Sequence, residues 1–306
     1  MTGMNIATAP VSFGVYGIES GRGGPEDLLE AMAAAGYEAT ELGPPGYFGS
    51  PSELLARLER HGLKAAGVYA AIRFGDPWSI EADVGQALDS LAELAAVGNA
   101  RAPLILADGG ADALLANPAR PWWDRTEALE ADGWRRLVEV VKRFETMAGE
   151  AGVPLSFHPH ISTYVESVWE VERLLALTEV GLTLDTGHLR LAGAAASECL
   201  RAWRDRINHV HVKDVHVDVL IKARETQRKD FDEWWADVSS PLGEGDVDLT
   251  EFIAELSRAQ YQGWLVIEQD RSPSRVDSYR SVAKAEERNR KWLVQQLIAN
   301  GERPPR

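Results

Sequence analysis

Cysteine is almost missing from this sequence. Cys199 is the single one in 306 residues, so no internal disulfide can form, which suits a reducing cytoplasm. No run of about 18 apolar residues is present, so no membrane-spanning helix is expected. The first residues, MTGMNIATAP, lack a basic start followed by a long apolar core, and no secretory signal is expected there. Positive charge is scarce: 32 Lys and Arg face 47 Asp and Glu, a formal net charge of −15. Gripping a phosphate backbone draws on Lys and Arg, so nucleic acid is a poor partner for this chain. The balance points to a small, neutral or metal-bound substrate. The remainder is ordinary globular composition, 45% hydrophobic and 26% charged, which leaves fold class to the pattern along the chain.

That pattern alternates. Strand-like runs fall at 5–13 (NIATAPVSF), 38–43 (EATELG), 63–72 (LKAAGVYAAI), 102–108 (APLILAD), 153–160 (VPLSFHPH), 181–188 (GLTLDTGH), 207–214 (INHVHVKD) and 263–270 (GWLVIEQD). Helix-like segments follow them at 25–36, 50–62, 79–97, 131–151, 166–179, 194–205, 249–260 and 276–299. The second shows a full set of boundary signals: Ser50 to cap, Pro51 to start, Glu53 three residues on, and Gly62 to end. Eight strand and helix units in alternation predict a parallel sheet closed into a (β/α)8 barrel, an α/β fold, with residues 1–306 forming one domain and the tail after 299 frayed. Two long connections, 109–130 and 215–248, break the rhythm. Loops after barrel strands lie on the face where active sites are built, and connections this long are usually functional. Each carries a tryptophan pair, Trp122–Trp123 and Trp234–Trp235. These pairs pack the loops, form a subunit interface, or make a lid; exposed pairs would suit a homodimer or homotetramer. The basic stretch LIKARETQRK (220–229) reads as an exposed amphipathic helix rather than a phosphate grip.

Alternate residues of a strand face opposite ways. In NHVHVKD, valines fill one face while His209, His211 and Lys213 fill the other. The same parity separates Leu155 and Phe157 from Ser156, His158 and His160. It separates Leu182 and Leu184 from Thr183 and Asp185, and Leu265 and Ile267 from Glu268 and Asp270. In a barrel the polar face must be the inner one, near the C-terminal ends. Strands five to eight then deliver His158, Asp185, His211 and Glu268 to one level. Two carboxylates and two imidazoles converging in a low-dielectric cavity call for a cation. Mixed nitrogen and oxygen donors suit Mn²⁺, Co²⁺, Fe²⁺ or Zn²⁺ over Ca²⁺.

The motifs LDTGH, HVHVKD, LGEGDVD and GWLVIEQD, with IATAPVSFGV and ATELGPPGYF earlier, resemble those of the sugar isomerase/epimerase-like, metal-dependent TIM barrels of the xylose isomerase type. Within these the likeness is greatest to the inosose dehydratase (2-keto-myo-inositol dehydratase) group, and it runs over about residues 4 to 270. DTGH is shared widely in the superfamily; HPH joined with APVSFGV and GEGDVD is more specific to the dehydratase branch. Many superfamily members carry a glutamate ligand at the end of strand five, where this sequence has His158. Glu166, at the start of the next helix, is the alternative to it. The resemblance implies one divalent metal, Mn²⁺ or Co²⁺ by preference with Zn²⁺ or Mg²⁺ allowed, and a small polyhydroxylated keto substrate of inositol catabolism that loses water through an enolate. His160 and Lys213 are the expected acid and base; Lys213 beside a cation would have a lowered pKa and act as base, or serve as hydrogen-bond donor, or else form a salt bridge with a strand-end acid such as Asp185 or Asp214. Glu41 and His188 are expected to contact substrate, and His209 to lie deeper. The runner-up is an isomerase or epimerase of keto-sugars using the same chemistry. A DNA-repair nuclease of the same barrel class would need more ligands and a basic face, and a barrel without catalysis would not need these segments intact.

Overall fold

The structure is a computed structural model that describes residues 3–97, 101–116, 120–121, 123–228 and 231–302. Among these, eight parallel strands close into a barrel: β1 (Asn5–Thr8), β2 (Ala39–Leu42), β3 (Lys64–Ile72), β4 (Leu104–Asp108), β5 (Leu155–His158), β6 (Gly181–Asp185), β7 (Ile207–Val212) and β10 (Trp264–Ile267). A two-stranded antiparallel ribbon, β8 (Asp214–Val215) with β9 (Ser239–Ser240), stands apart. Around the barrel the order is β1-β10-β7-β6-β5-β4-β3-β2, the closed succession of a (β/α)8 fold. No described helix is long and apolar enough to cross a membrane.

Helix signals act where the sequence places them. In the helix Pro51–His61, the Glu53 carboxylate accepts the Ser50 backbone N–H at 2.8 Å, satisfying a donor the helix leaves open. Gly62 ends it at φ +66°, a conformation cheap only for glycine. The main apolar core lies between the strands' outer faces and the helices. A smaller cluster inside the barrel is built from Ala7, Ala9, Ala39, Ala66, Trp264 and Val266.

Boundaries differ from the sequence reading in instructive ways. The first strand stops at Thr8 because Pro10 opens a 3-10 turn through Phe13, as a residue without an N–H would. The sixth stops at Asp185, and TGH becomes the start of a helix, Thr186–Leu191. The connection 215–248 is not bare loop: it holds the ribbon and two helices, Val217–Glu225 and Phe231–Val238. The first of these contains most of the basic stretch, whose last residue, 229, lies outside the described residues. So do Trp122 and the tail 303–306. Trp234 and Trp235 are buried within the chain, Trp234 in a satellite core with Leu220 and Val238. This pair supplies no exposed interface, whereas Trp123 of the other pair is exposed.

Candidate functional site

The parity argument places its residues correctly. His158, Asp185, His211 and Glu268 are all buried at the C-terminal end of the barrel interior. Asp185 and Val266 both lie opposite His211 in register, and Glu268 is two residues beyond Val266. His158 Nε2 is 3.1 Å from His211 Nδ1. Asp185 Oδ2 is 3.6 Å from each of these nitrogens, and Glu268 Oε2 is 3.1 Å from His211 Nδ1.

These spacings suit a cation. Donors held at roughly 2.0–2.2 Å from one ion stand about 3 to 3.5 Å apart. Asp185 Oδ2 is buried with no hydrogen-bond partner, as an oxygen aimed at an ion would be. The buried carboxylates Glu41, Asp185, Glu268 and Asp270 face one buried ammonium, Lys213, leaving three negative charges in excess (four against one). A dry interior tolerates that only if imidazoles take up protons or a divalent cation binds. Burial alone would lower the His211 pKa, but Glu268 and Glu41 raise it well above the ordinary value: the imidazole takes the charge a cation would bring. The residues fit a divalent metal.

Glu41, His209 and His211 form a second close group, of another kind. Glu41 Oε1 accepts from His209 Nε2 at 2.7 Å and from His211 Nε2 at 2.8 Å. These are hydrogen bonds with no gap for an ion. They hold the Nε2 proton of His211, so that Nδ1, which faces the centre, is the nitrogen left to bind a cation once its own proton is displaced. A carboxylate behind a ligating histidine does this at metal sites. Glu41, expected to touch substrate, lines the cavity and is hydrogen-bonded to both rings. His209 is fully buried beneath it. Glu166, the alternative ligand, is committed elsewhere: Oε1 accepts from Arg120 Nε at 3.0 Å and Oε2 from the Ser162 N–H at 2.6 Å. His158 holds the strand-five place.

The DTGH motif reads residue by residue. Asp185 Oδ1 caps the following helix by accepting the His188 N–H at 2.8 Å. Thr186 Oγ1 donates to the Lys213 carbonyl at 2.6 Å and accepts the Lys213 N–H at 2.9 Å. A Cβ on Gly187 would come within 2.8 Å of the Lys213 stem, so only glycine leaves the lysine room. Asp214 anchors the GEGDVD turn, its carboxylate accepting four backbone N–H groups, from Val215, Gly243, Gly245 and Val247.

Lys213 Nζ stands 2.9 Å from Asp270 Oδ2, 3.2 Å from Glu268 Oε2 and 3.6 Å from Asp185 Oδ2. Burial would lower its pKa, yet the three carboxylates raise it well above the ordinary value. Without a cation beside it the charges around the amine outweigh its desolvation, and it is a held ammonium, in the ion pair with strand-end acids that was one of its expected roles. His160 is the opposite. Burial first, then His158 and Lys213, push it down to about 3. Its Nδ1 lies 2.7 Å from the Ile161 carbonyl, so Nδ1 carries the proton and Nε2 the lone pair. Its ring is 3.8 Å from that of His188, which stacks on Trp235 at 5.3 Å and 3°. Trp235 Nε1 donates to Asp270 Oδ2 at 2.8 Å. The tryptophan in the long connection thus covers the site, and Asp270 ties it to Lys213. Asp270 was not among the expected site residues, although it shares the parity of Glu268. A cavity of about 560 Å³ opens over this cluster, lined among others by His158, His160, His188, His211, Lys213, Trp235, Glu268 and Asp270.

Barrel and site together define a class. The chain belongs to the xylose isomerase-like TIM barrel family, whose model matches residues 29–295. Among curated relatives, an inosose dehydratase of Geobacillus kaustophilus (strain HTA426) is 30% identical over 278 residues, covering 90% of this chain and 89% of its own. The rhizopine catabolism protein MocC of Rhizobium meliloti is 34% identical over 258 residues, covering 82% and 76%. The IOLI protein, solved with a bound zinc atom, has a TM-score of 0.70 and 16% identity, covering 97% of this chain and 99% of that one; it shows the shared fold.

Proposed function

We propose that this chain is a metal-dependent hydro-lyase that dehydrates 2-keto-myo-inositol or a related keto-cyclitol. The observation that carries the reading is the placing of His160 and Lys213 in one cavity beside a single cluster of metal-type donors. Its support includes the inosose dehydratase at 30% identity over 90% of the chain.

His158, Asp185, His211 and Glu268 would hold the ion, with Mn²⁺ or Co²⁺ the choice we favour for this mixed donor set. When bound, a divalent cation supplies positive charge beside the ketone and a neighbouring hydroxyl, lowering the cost of enolate charge. The chain's own residues do the proton work. His160, with its lone pair on Nε2, takes the proton from the carbon next to the ketone, and the C–H electrons form the enolate. As the enolate collapses, the bond to the β-hydroxyl breaks, and the Lys213 ammonium donates the proton that turns the departing hydroxide into water. Lys213 then recovers its proton from solvent or from His160. Trp235 and His188 wall the reacting face off from bulk water. Each positioned acid or base is worth roughly 10² to 10⁴ in rate. An epimerase would need a second base to handle carbon on the opposite face; His158 in place of the strand-five glutamate argues for elimination instead. Buried, unpaired Cys199 suits a reducing compartment, and the reading places the enzyme in the cytoplasm.

Turnover of 2-keto-myo-inositol by metal-stripped protein, with and without added Mn²⁺ or Co²⁺, tests it by ultraviolet absorbance and product mass. Metal-dependent loss of one water is expected. A rearranged product of unchanged mass would make the protein an isomerase or epimerase.

A further inference from the structure

With His158 in the strand-five place, Glu166 is a buried acid that touches neither the donor cluster nor the cavity. It lies in the turn between β5 and the helix Val168–Leu177, the turn that also carries His160. A buried carboxylate is costly unless it is paired and hydrogen-bonded, and this one is both. Arg120 Nε, from the long connection after β4, donates to Oε1 at 3.0 Å, and the Ser162 N–H donates to Oε2 at 2.6 Å. Burial raises the Glu166 carboxyl to about 7, with Arg120 and the Ser162 N–H acting against it, so its charge depends on Arg120.

The Ser162 N–H and the Ile161 carbonyl belong to one peptide unit. Such a unit is planar and trans, its N–H and C=O pointing opposite ways. On the carbonyl side it meets His160 Nδ1 at 2.7 Å. A line of contacts therefore runs from the Arg120 guanidinium to the Glu166 carboxylate, through the peptide, to the His160 imidazole. With Glu166 gripping the N–H, the carbonyl is aimed at the ring. A carbonyl only accepts, so it demands the proton on Nδ1 and leaves the lone pair on Nε2. The carboxylate also polarises the peptide and strengthens its carbonyl as an acceptor.

The turn is built to hold this peptide. Ser162 sits at φ +62°, a left-handed conformation that costs a residue with a Cβ and persists where the surroundings impose it. Thr163 Oγ1 donates to the His160 carbonyl at 2.6 Å, and the His160 N–H to the Val165 carbonyl at 3.0 Å. Arg120 Nη2 donates to the Thr163 carbonyl at 3.2 Å and to Glu170 Oε1 at 2.8 Å, tying the turn to the first turn of the helix that follows.

We propose that Glu166, held by Arg120, is a positioning residue for His160: through the peptide between Ile161 and Ser162 it fixes the imidazole in the tautomer whose Nε2 serves as base. The inference rests on the reading of His160 above and deepens it. A carboxylate that orients a catalytic histidine is a general device; here a peptide unit stands between the two.

The test uses the full chain with Glu166→Gln. The amide has one oxygen, which should stay with the charged guanidinium, leaving an NH2 group against the Ser162 N–H. In metal-stripped protein, imidazole nitrogen NMR reads the tautomer, the His160 signals being those lost in His160→Ala. The wild type should show the Nδ1–H form and Glu166→Gln a mixture. In Mn²⁺-loaded protein on 2-keto-myo-inositol, Glu166→Gln should lower kcat roughly 10- to 100-fold, with KM and Mn²⁺ affinity unchanged. Added to His160→Ala it should cost no further kcat, as for residues that act as a unit. Arg120→Lys, which keeps the charge and loses the fork, should fall between wild type and Glu166→Gln in both readouts, and it decides the matter should Glu166→Gln fail to fold. A pure Nδ1–H form in the variant, or a kcat loss that adds in full to that of His160→Ala, overturns the proposal. If the wild type turns over no keto-cyclitol, the hydro-lyase reading falls, while the tautomer still decides the role of Glu166.

Discussion

Glu41 offers the sharpest test of how the site is held. Its Oε1 accepts from both His209 and His211 inside a dry barrel. In Glu41→Ala two imidazole N–H groups lose their acceptor. At about 1–3 kcal/mol for each buried donor left unpaired, the metal-free protein should lose roughly 3 kcal/mol of stability. His211 also loses the partner that fixes its tautomer, so metal affinity should fall roughly 10- to 100-fold, or about 1.4–2.7 kcal/mol. Glu41→Gln separates the two effects. Its amide oxygen has two lone pairs and can accept from both rings, so most of the stability should return, while loss of the charge keeps affinity about tenfold down. Thermal unfolding of metal-free protein reads the first quantity, and Mn²⁺ competition against a chelator reads the second. Wild-type affinity in both variants would refute the reasoning. A raised KM with metal affinity unchanged would make Glu41 the substrate contact that its strand-end position suggested.

Asp185→Ala and Glu268→Ala should each abolish metal binding and turnover in metal-controlled buffer with the fold retained, the first at a further cost of about 1 kcal/mol for its lost cap. His160→Ala and Lys213→Ala should keep the metal and lower kcat by roughly 10² to 10⁴; full kcat in both would end the acid/base assignment. Asp108 is raised from 3.8 to about 6, burial outweighing the N–H groups of Tyr164 and Phe74 that it accepts. The folded form therefore holds a proton that the unfolded chain has lost. Its contribution is complete below pH 3.8 and declines as pH rises to about 6, by about 3 kcal/mol in all; Asp108→Asn should remove that slope from denaturant-unfolding curves taken across the range. Arg120→Met strands the buried Glu166 and Glu170 that share its guanidinium, and should cost about 3–5 kcal/mol by the same assay.

What was legible in the sequence is what a single strand's parity can carry. His158, Asp185, His211 and Glu268 were found because each ends a strand whose other face is apolar, and alternation needs no knowledge of the neighbours. The barrel was legible for a similar reason, since its units repeat locally. Less legible were groups whose meaning depends on what lies across the barrel. Glu41 belongs to β2 and the imidazoles it bridges to β7, two strands with no bonds between them; a register shift between Thr40 and Glu41 further hides its level. Lys213 was judged against an expected cation, before its three carboxylates could be counted. Asp270 had the right parity, but its importance comes from Trp235, brought over the site by the long connection 215–248, whose path alternation along a strand cannot give. These share one cause. A strand announces which way a side chain points, whereas its protonation state and role follow from the charges it meets there. The chemistry assigned to His160 and Lys213 therefore had to come from the assembled site: one imidazole pressed neutral by burial and its cationic neighbours, one amine kept charged by three acids, both beside donors that demand an ion.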